Sequence, residues 1–569
     1  MKLLKKIWGN QQVVYWVFLV MLILPNLFMF FTESTSLFTR VVNVLLPFAC
    51  YRILLTLCGK PGKMFWWLFL FIFFAAFQIV LLYLFGESPI AVDMFLNVVT
   101  TNVTEADELL FQISPAVVVV FVIYGGGIVL SFCSIANRAL LRPSFAVRQR
   151  ILGTIWLGVV LLALLVAGFR LGGWPVSFRN DIFPMNVTYN LGLSVQRYVQ
   201  SARYAHTSGH FSHQAQYHRA DSLPEVYVLV IGETLRADNL GIYGYERNTT
   251  PRLAAMADSL VVYPDAITMS NTTHKSVPLL LTAVGSELCY DSLYTQRGLI
   301  SAFAEAGFAT SFFSNQRRNG SFIDFLGSEA QEVKFTKDGL RLDANVYDEE
   351  LLSLLDKSLH SAAARGQLIV LHCYGSHFDY RDRCPDSLWR FAPTQFPSAK
   401  KEYRPQLVNA YDNTVQYADA LLARVIGMLQ ACGRPAVMLY TSDHGEDIYD
   451  DARARFLHAS PIPTYYQLHV PLIAWASASW RESYPEKWEN LRTHASQPVS
   501  TGMVMFHTLL DLAGIETRLT KPSLALGNDR FVPTQRLYVN DHNELRTLDD
   551  CGLKPADEQL FRSHHLQFP

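Results

Sequence analysis

The sequence predicts two parts of opposite solvent preference. Residues 1–170 form an N-terminal domain of five membrane-spanning helices, residues 171–224 connect, and residues 225–569 form an α/β domain on a mostly parallel sheet. Three observations carry this. Long apolar runs crowd the first 170 residues, and the loops between them alternate in charge. Beyond them, short apolar runs alternate with helical stretches and end in chemically active residues. A chain of 569 residues, 50% apolar and only 17% charged, exceeds one ordinary domain and leans toward a membrane protein.

The spans lie near 13–31, 41–57, 64–85, 115–136 and 151–169, each about the length that crosses a bilayer core. Asn43 and Arg52 interrupt the second, where Arg52 is expected to snorkel toward the interface. Lys2, Lys5 and Lys6 precede the first span, Lys60 and Lys63 follow the second, and Arg138, Arg142, Arg148 and Arg150 follow the fourth. The 87–113 loop instead carries Glu87, Asp93, Glu105, Asp107 and Glu108 with no Lys or Arg. Positive loops face the cytoplasm, so the N-terminus is cytoplasmic and everything after about residue 170 lies outside. The first run is long, lacks a small-residue cleavage site and is followed by further spans, which argues against a signal peptide.

Net charge is −1, which excludes a nucleic-acid partner attracted by bulk electrostatics. Cys50, Cys58 and Cys133 lie in or beside spans. Cys289, Cys373, Cys384, Cys432 and Cys551 lie outside, an odd set whose pairing the sequence leaves open. The chain has no internal repeat and no low-complexity tract.

In the outer part, Val226–Ile231 ends in Gly232-Glu233-Thr234, and Thr310–Phe313 ends in Ser314-Asn315-Gln316. Leu368–Leu371 ends in His372-Cys373-Tyr374-Gly375-Ser376-His377, and Ala436–Tyr440 runs into Thr441-Ser442-Asp443-His444-Gly445-Glu446-Asp447. A further apolar run is Val470–Trp475. Short continuous apolar runs between helices indicate a parallel sheet covered on both faces, which collects functional groups at its carboxyl edge. Glu233, His377, Asp443 and His444 would meet there. Alone, Asp-His-Gly is also an ordinary strand-to-turn junction; several such strand ends together point to a metal site.

Between the first strand and the rest, Thr268 to Leu280 begins with Ser, Asn and Thr residues and runs into Pro278, Leu279 and Leu280, the pattern of a helix N-terminus. It serves either as a plain helix cap or as a hydroxyl nucleophile where helix N–H groups favour an incoming phosphate. A metal beside Asp443 and His444 would lower the hydroxyl's pKa.

The motifs extend further. Gly232-Glu233-Thr234-Leu235-Arg236-Ala237-Asp238 is followed by Tyr243-Gly244-Tyr245, Asn248-Thr249-Thr250-Pro251 and Thr273-His274-Lys275-Ser276-Val277-Pro278. Then come Leu371-His372, Gly375-Ser376-His377, Asn409-Ala410-Tyr411-Asp412-Asn413-Thr414, Ser442-Asp443-His444-Gly445-Glu446 and His469-Val470-Pro471. Ordered over about 240 residues, they resemble the bacterial phosphoethanolamine transferases, five-span inner-membrane enzymes whose periplasmic domain has the alkaline phosphatase/sulfatase-like fold.

The resemblance implies zinc held by Glu233, Thr273, Asp443 and His444, with Thr273 also the nucleophile. His377 and His458 match histidines that bind substrate phosphate or a second zinc, and either is a catalytic candidate for protonating the leaving diacylglycerol; His372 is a weaker match. Asn315 falls at a substrate-binding Asn. The family's lipid A-modifying members carry a Lys four residues later, where this chain has Asn319 after Arg317 and Arg318, so the acceptor contact departs from the pattern. Asn97, Thr101 and Glu105, spaced i, i+4, i+8, would form one polar stripe on a helix. That stripe is either a solvated face or, by resemblance, the site for the donor headgroup.

The implied reaction moves phosphoethanolamine from phosphatidylethanolamine to lipid A or another lipopolysaccharide acceptor. The implied catalyst is a multi-pass monomer of the bacterial inner membrane with its catalytic domain in the periplasm. Mn²⁺ or Mg²⁺ would tolerate the same oxygen-rich ligand set. Two alternatives share the fold: a phosphoglycerol transferase of the lipoteichoic-acid-synthase type, and a non-catalytic membrane sensor. A formylglycine sulfatase is disfavoured because the nucleophile segment lacks Cys/Ser-x-Pro-x-Arg.

Overall fold

The computed structural model describes residues 10–568 apart from 34, 86–89, 93, 96–114, 220–222, 288–289, 342–343 and 362–364. The chain divides into two compact units at Gln196/Arg197. The expected connecting segment 171–224 is therefore shared between them, and its Gln216–Tyr217 pairs antiparallel with Ile515–Glu516 inside the second unit. The polar stripe of Asn97, Thr101 and Glu105, and also Cys289, lie outside the described residues.

The first unit is helical. Among the described residues four helices are long and apolar enough to cross a bilayer: α1 (Gln11–Thr32), α2 (Leu37–Leu54), α5 (Pro115–Ala136) and α6 (Pro143–Leu171). The expected third span is instead a broken pair, α3 (Pro61–Trp67) and α4 (Phe69–Phe85), bent by 72°. The count is thus four continuous spans, or five if the bent pair crosses once. Small residues let α3 approach α5 closely: a Cβ on Gly62 would sit 2.5 Å from the Ser131 carbonyl oxygen, and the Ser131 hydroxyl donates to Gly62 O at 2.8 Å.

Several polar side chains in the spans pair with one another. Arg52 does not snorkel; it is buried, and its Nε donates to Gln149 Oε1 of α6 at 3.1 Å. Asn43 Oδ1 accepts from Phe183 N at 2.9 Å and from Asn26 Nδ2 at 3.0 Å. In a medium without water, such pairing is what makes these residues tolerable. After the spans, α7 (Met185–Ala202) is amphipathic, burying Asn186, Val187, Asn190 and Ser194 and exposing Met185, Tyr189, Val195 and Tyr198.

The second unit is built on a seven-stranded sheet: β1 (Glu225–Gly232), β2 (Leu260–Val262), β3 (Ala309–Ser314), β4 (Glu332–Phe335), β5 (Gly366–His372), β6 (Ala436–Ser442) and β7 (Leu472–Ala476). Their spatial order is β2-β7-β6-β1-β5-β3-β4. β6, β1, β5, β3 and β4 run parallel, and β7 is antiparallel to both β6 and β2.

Both faces of the central strands β1, β5 and β6 are dry. On β1, Tyr227, Leu229 and Ile231 join one core with Val277 and Leu280 of α8 (Thr273–Leu281) and Phe506 and Leu509 of α10 (Thr501–Ala513). Val226, Val228 and Val230 join the other, with Leu422, Val425 and Leu429 of α9 (Arg404–Ala431). That alternation is why the strand reads as an unbroken apolar run. Register then aligns the carboxyl ends: Gly232 lies opposite Ser442, and His372 opposite both Ile231 and Ser314.

Candidate functional site

Two strand ends and one helix start meet at the carboxyl edge. Glu233 follows β1, Asp443 and His444 follow β6, and Thr273 is the first residue of α8. The donor atoms of Glu233, Asp443 and His444 all lie within 4.8 Å of one another, and all three residues are buried.

The backbone is bent to bring them there. Thr234 has φ 61, a left-handed conformation that a β-branched residue rarely adopts. In return, Thr234 N donates to Asp443 Oδ1 at 3.0 Å and its hydroxyl donates to Glu233 Oε1 at 2.8 Å. Gly445 permits the turn after His444: a Cβ there would lie 2.2 Å from Tyr466 O.

His444 Nδ1 lies 2.9 Å from Gly445 O. A carbonyl only accepts, so Nδ1 carries the hydrogen and Nε2 presents a lone pair to the cluster. That lone pair faces Asp443 Oδ2 at 3.3 Å, and among the described residues no donor reaches this buried oxygen. Burial, and then the neighbouring Asp443, pushes Glu233 well above the usual carboxylate range; burial likewise raises Asp443 and drives His444 far below its ordinary value. Two buried carboxylates and an imidazole lone pair, converging with no cationic side chain among them, have the chemistry of a cation site.

The Thr273 hydroxyl is 3.0 Å and 3.2 Å from the two oxygens of Glu233 and 3.2 Å from His444 Nε2. It is partly exposed. The cap position belongs to Thr272, whose side chain makes no cap bond. Thr273 is thus turned into the cluster and not used as a helix cap. Two residues on, buried Lys275 donates to the Val539 and Asn540 carbonyls at 3.1 and 2.9 Å, tying α8 to the C-terminal segment.

His458 and His377 are also brought in. The His458 ring lies 4.3 Å from that of His444 and 5.8 Å from that of His377. Residues on both sides of His458, Leu457 (φ 68) and Ala459 (φ 59), are left-handed, and its Nδ1 is 3.5 Å from Glu446 Oε2. His377 Nδ1 lies 2.7 Å from Phe378 O and its ring stacks on Tyr374. Burial above all, with His458, Arg383 and Lys337 nearby, pushes His377 down to about 3. His372 does not join them: it is buried against Phe312, with Nδ1 3.1 Å from Ser314 Oγ.

Asn315 is spent elsewhere. Its Nδ2 donates to Val346 O and Asp348 Oδ1, both at 2.8 Å, and its Oδ1 accepts from the Thr336 hydroxyl. The amide that reaches the cluster is the next one: Gln316 Nε2 donates to Glu233 Oε2 at 2.7 Å. Arg317 donates to the carbonyls of Lys337, Leu340 and Arg341, Arg318 pairs with Asp338, and Asn319 Oδ1 accepts from Ser321 N. The cations set near His377 are Lys337 and Arg383, both over the Tyr374 ring, at 3.4 and 4.1 Å. Motif reading missed Thr234, Gln316, Lys337 and Arg383. Strand alternation past Ser314 was a usable signal for Gln316, since Asn315 and Gln316 cannot both face one side. Among the described residues Cys373, Cys384, Cys432 and Cys551 are free thiols.

Comparison with known proteins places this geometry in context. The sulfatase family model matches residues 225–515. The chain is similar to the putative transferase YhbX of Escherichia coli K12, 31% identical over 269 residues, 47% of this chain and 46% of that protein. It is also similar to phosphoethanolamine transferase EptC of E. coli K12, 26% identical over 347 residues, 59% of each. It spans about half the length of these curated relatives. The crystal structure of the E. coli EptC periplasmic domain in complex with Zn superposes with a TM-score of 0.54 at 26% identity, over 61% of this chain and 98% of that domain. The integral membrane lipooligosaccharide phosphoethanolamine transferase A of Neisseria meningitidis shares the fold: TM-score 0.71 and 23% identity over 91% of this chain and 98% of that one.

Proposed function

The chain belongs to the sulfatase family, and on that premise we propose that it transfers phosphoethanolamine from phosphatidylethanolamine, through a phosphothreonine at Thr273, to a lipopolysaccharide acceptor. The observation that carries the reading is the Thr273 hydroxyl, first on its helix and within 3.2 Å of both Glu233 oxygens and of His444 Nε2. The relatives named as phosphoethanolamine transferases supply the group transferred. The apolar helices of the first unit suit an enzyme whose donor is a lipid. The catalytic domain is then periplasmic, and the acceptor is a lipid A phosphate or a core sugar.

Glu233, Thr273, Asp443 and His444 would hold zinc, whose Lewis acidity would lower the hydroxyl pKa and offset charge on the transferring phosphoryl group. The buried Asp443 Oδ2, with no donor among the described residues, and the His444 lone pair fit such an ion. The residues divide the remaining work. Thr273 Oγ bonds phosphorus while the bond from phosphorus to the glyceryl oxygen breaks, and Glu233 accepts the Thr273 proton. His458, with Nδ1 facing Glu446, gives a proton to the departing diacylglycerol oxygen. In the second half the acceptor loses its proton to His458, and Thr273 recovers its own from Glu233. The N–H groups at the start of α8 face the phosphoryl oxygens. Asn97, Thr101 and Glu105 remain our candidates for the donor headgroup, with Glu105 pairing to the ammonium.

The test is intact-mass spectrometry of the full-length protein incubated with phosphatidylethanolamine and zinc, beside Thr273→Ala. A phosphoethanolamine adduct on the wild type alone is expected. A glycerophosphate adduct from phosphatidylglycerol in its place would shift the reading to a phosphoglycerol transferase. No adduct from either lipid would overturn it.

A further inference from the structure

Glu233 is gripped from outside the cluster. Its Oε1 accepts from the Thr234 hydroxyl at 2.8 Å and its Oε2 from Gln316 Nε2 at 2.7 Å, while Thr273 spans both oxygens. Gln316 Nε2 also donates to Cys373 O at 3.3 Å, so its amide plane is fixed by the first turn after β5. Gln316 N donates to Ser314 Oγ at 3.1 Å, which fixes its backbone on the end of β3. Gln316 thereby links the β3, β5 and β1 ends through one side chain. The neighbouring Asn315 is wholly occupied by Val346, Asp348 and Thr336 and cannot substitute.

We infer that Gln316 is the positioning residue for Glu233, holding Oε2 so that the carboxylate keeps one orientation toward both the metal and the Thr273 hydroxyl. The inference rests on the metal reading of the site given above. A carboxylate ligand free to rotate about its terminal bond loses metal affinity, because binding must then order it. Losing the outer hydrogen bond to a metal ligand typically costs 10–100-fold in metal affinity. Methionine matches the length of glutamine without an N–H. Glutamate matches its shape but sets a second carboxylate against Glu233.

The experiment titrates zinc into the metal-free full-length chain by chelator competition, for wild type, Gln316→Met and Gln316→Glu, with a thermal melt of each metal-free protein. Expected is a zinc Kd weakened about 10–100-fold in both variants, with melting temperatures close to wild type and kcat reduced more than KM rises. A zinc Kd within threefold of wild type in a folded variant would overturn the inference. So would failure of both variants to fold, since a residue that only orients one ligand is dispensable to the fold. A wild-type chain that binds no zinc would overturn it too. A wild type that binds zinc yet forms no phosphothreonine would leave the inference standing and sink the proposed function alone.

Discussion

The Thr273 hydroxyl stands 3.0 Å from Glu233 Oε1 and 3.2 Å from Oε2, a hydrogen bond shared across one carboxylate. Glu233 is therefore a proton acceptor already aimed at the nucleophile. Thr273→Ala removes the attacking atom and is expected to cut transfer by about 10³-fold or more, because a nucleophile's loss is not shared by other groups. Thr273→Ser keeps the oxygen but gains a free rotamer, and should retain measurable transfer at a lower kcat. Product formation by thin-layer chromatography of labelled lipid would check both. Equal activity of the Ala variant and wild type would remove Thr273 from the mechanism.

Metal removal should destabilise the second unit as well as silence it. Glu233 and Asp443 are both buried, and Asp443 Oδ2 has no donor among the described residues, so the metal-free state carries uncompensated desolvation. A ligand that binds only the folded state stabilises by about 2.7 kcal/mol at a hundred times its Kd. Zinc added after chelation is expected to raise the melting temperature and restore transfer together, and Asp443→Asn should lose both responses. A melting temperature indifferent to zinc would exclude this cluster as the binding site.

Where sequence reading succeeded, the reason is local. β1 and β6 are buried on both faces, so their residues form continuous apolar runs whose ends are visible as Glu233 and Asp443. The spans were legible for the same reason, with one exception. The bend between Trp67 and Phe69 interrupts a run whose composition stays apolar throughout, and hydropathy carries no record of direction. Arg52 was misjudged because its partner, Gln149, lies 97 residues away in the chain. Asn315 and Gln316 are neighbours, and motif position alone could not say which would turn inward. Lys337 and Arg383 reach Tyr374 from separate loops, a convergence only folding creates.

Gly445 tests how tightly the strand-end turn is built. A Cβ there would lie 2.2 Å from the Tyr466 carbonyl oxygen and 2.8 Å from Arg236 Cβ, and Gly445 N donates to Gln467 O at 2.9 Å. Backbone must move to admit a methyl group, and the residue displaced with it is His444. Gly445→Ala is expected to destabilise the second unit by about 1–3 kcal/mol, the usual range for overpacking. It should also weaken zinc binding, since the Gly445 carbonyl holds the His444 tautomer. Thermal melts with and without zinc would read both effects. A variant matching wild type in each would mean the turn relaxes without moving its ligand.

Glu329 gives the second unit a pH dependence remote from the site. Its carboxylate accepts from Gly298 N, Ser301 N and the Tyr204 hydroxyl. Burial nevertheless outweighs these bonds and pushes it from the usual 4.5 up to about 7. Between those values the folded chain holds a proton that the unfolded chain has released. Stability from this group is therefore full below about pH 4.5 and falls as pH rises toward about 7, by about 3 kcal/mol at most. Asp447, raised to about 7 chiefly by burial, adds to the same trend. Glu329→Gln keeps the acceptor oxygen and abolishes its titration, so its stability should fall less steeply than wild type over that interval. Chemical denaturation of both proteins at several pH values would measure the difference in slope. Parallel curves would mean that Glu329 titrates alike in the folded and unfolded chain.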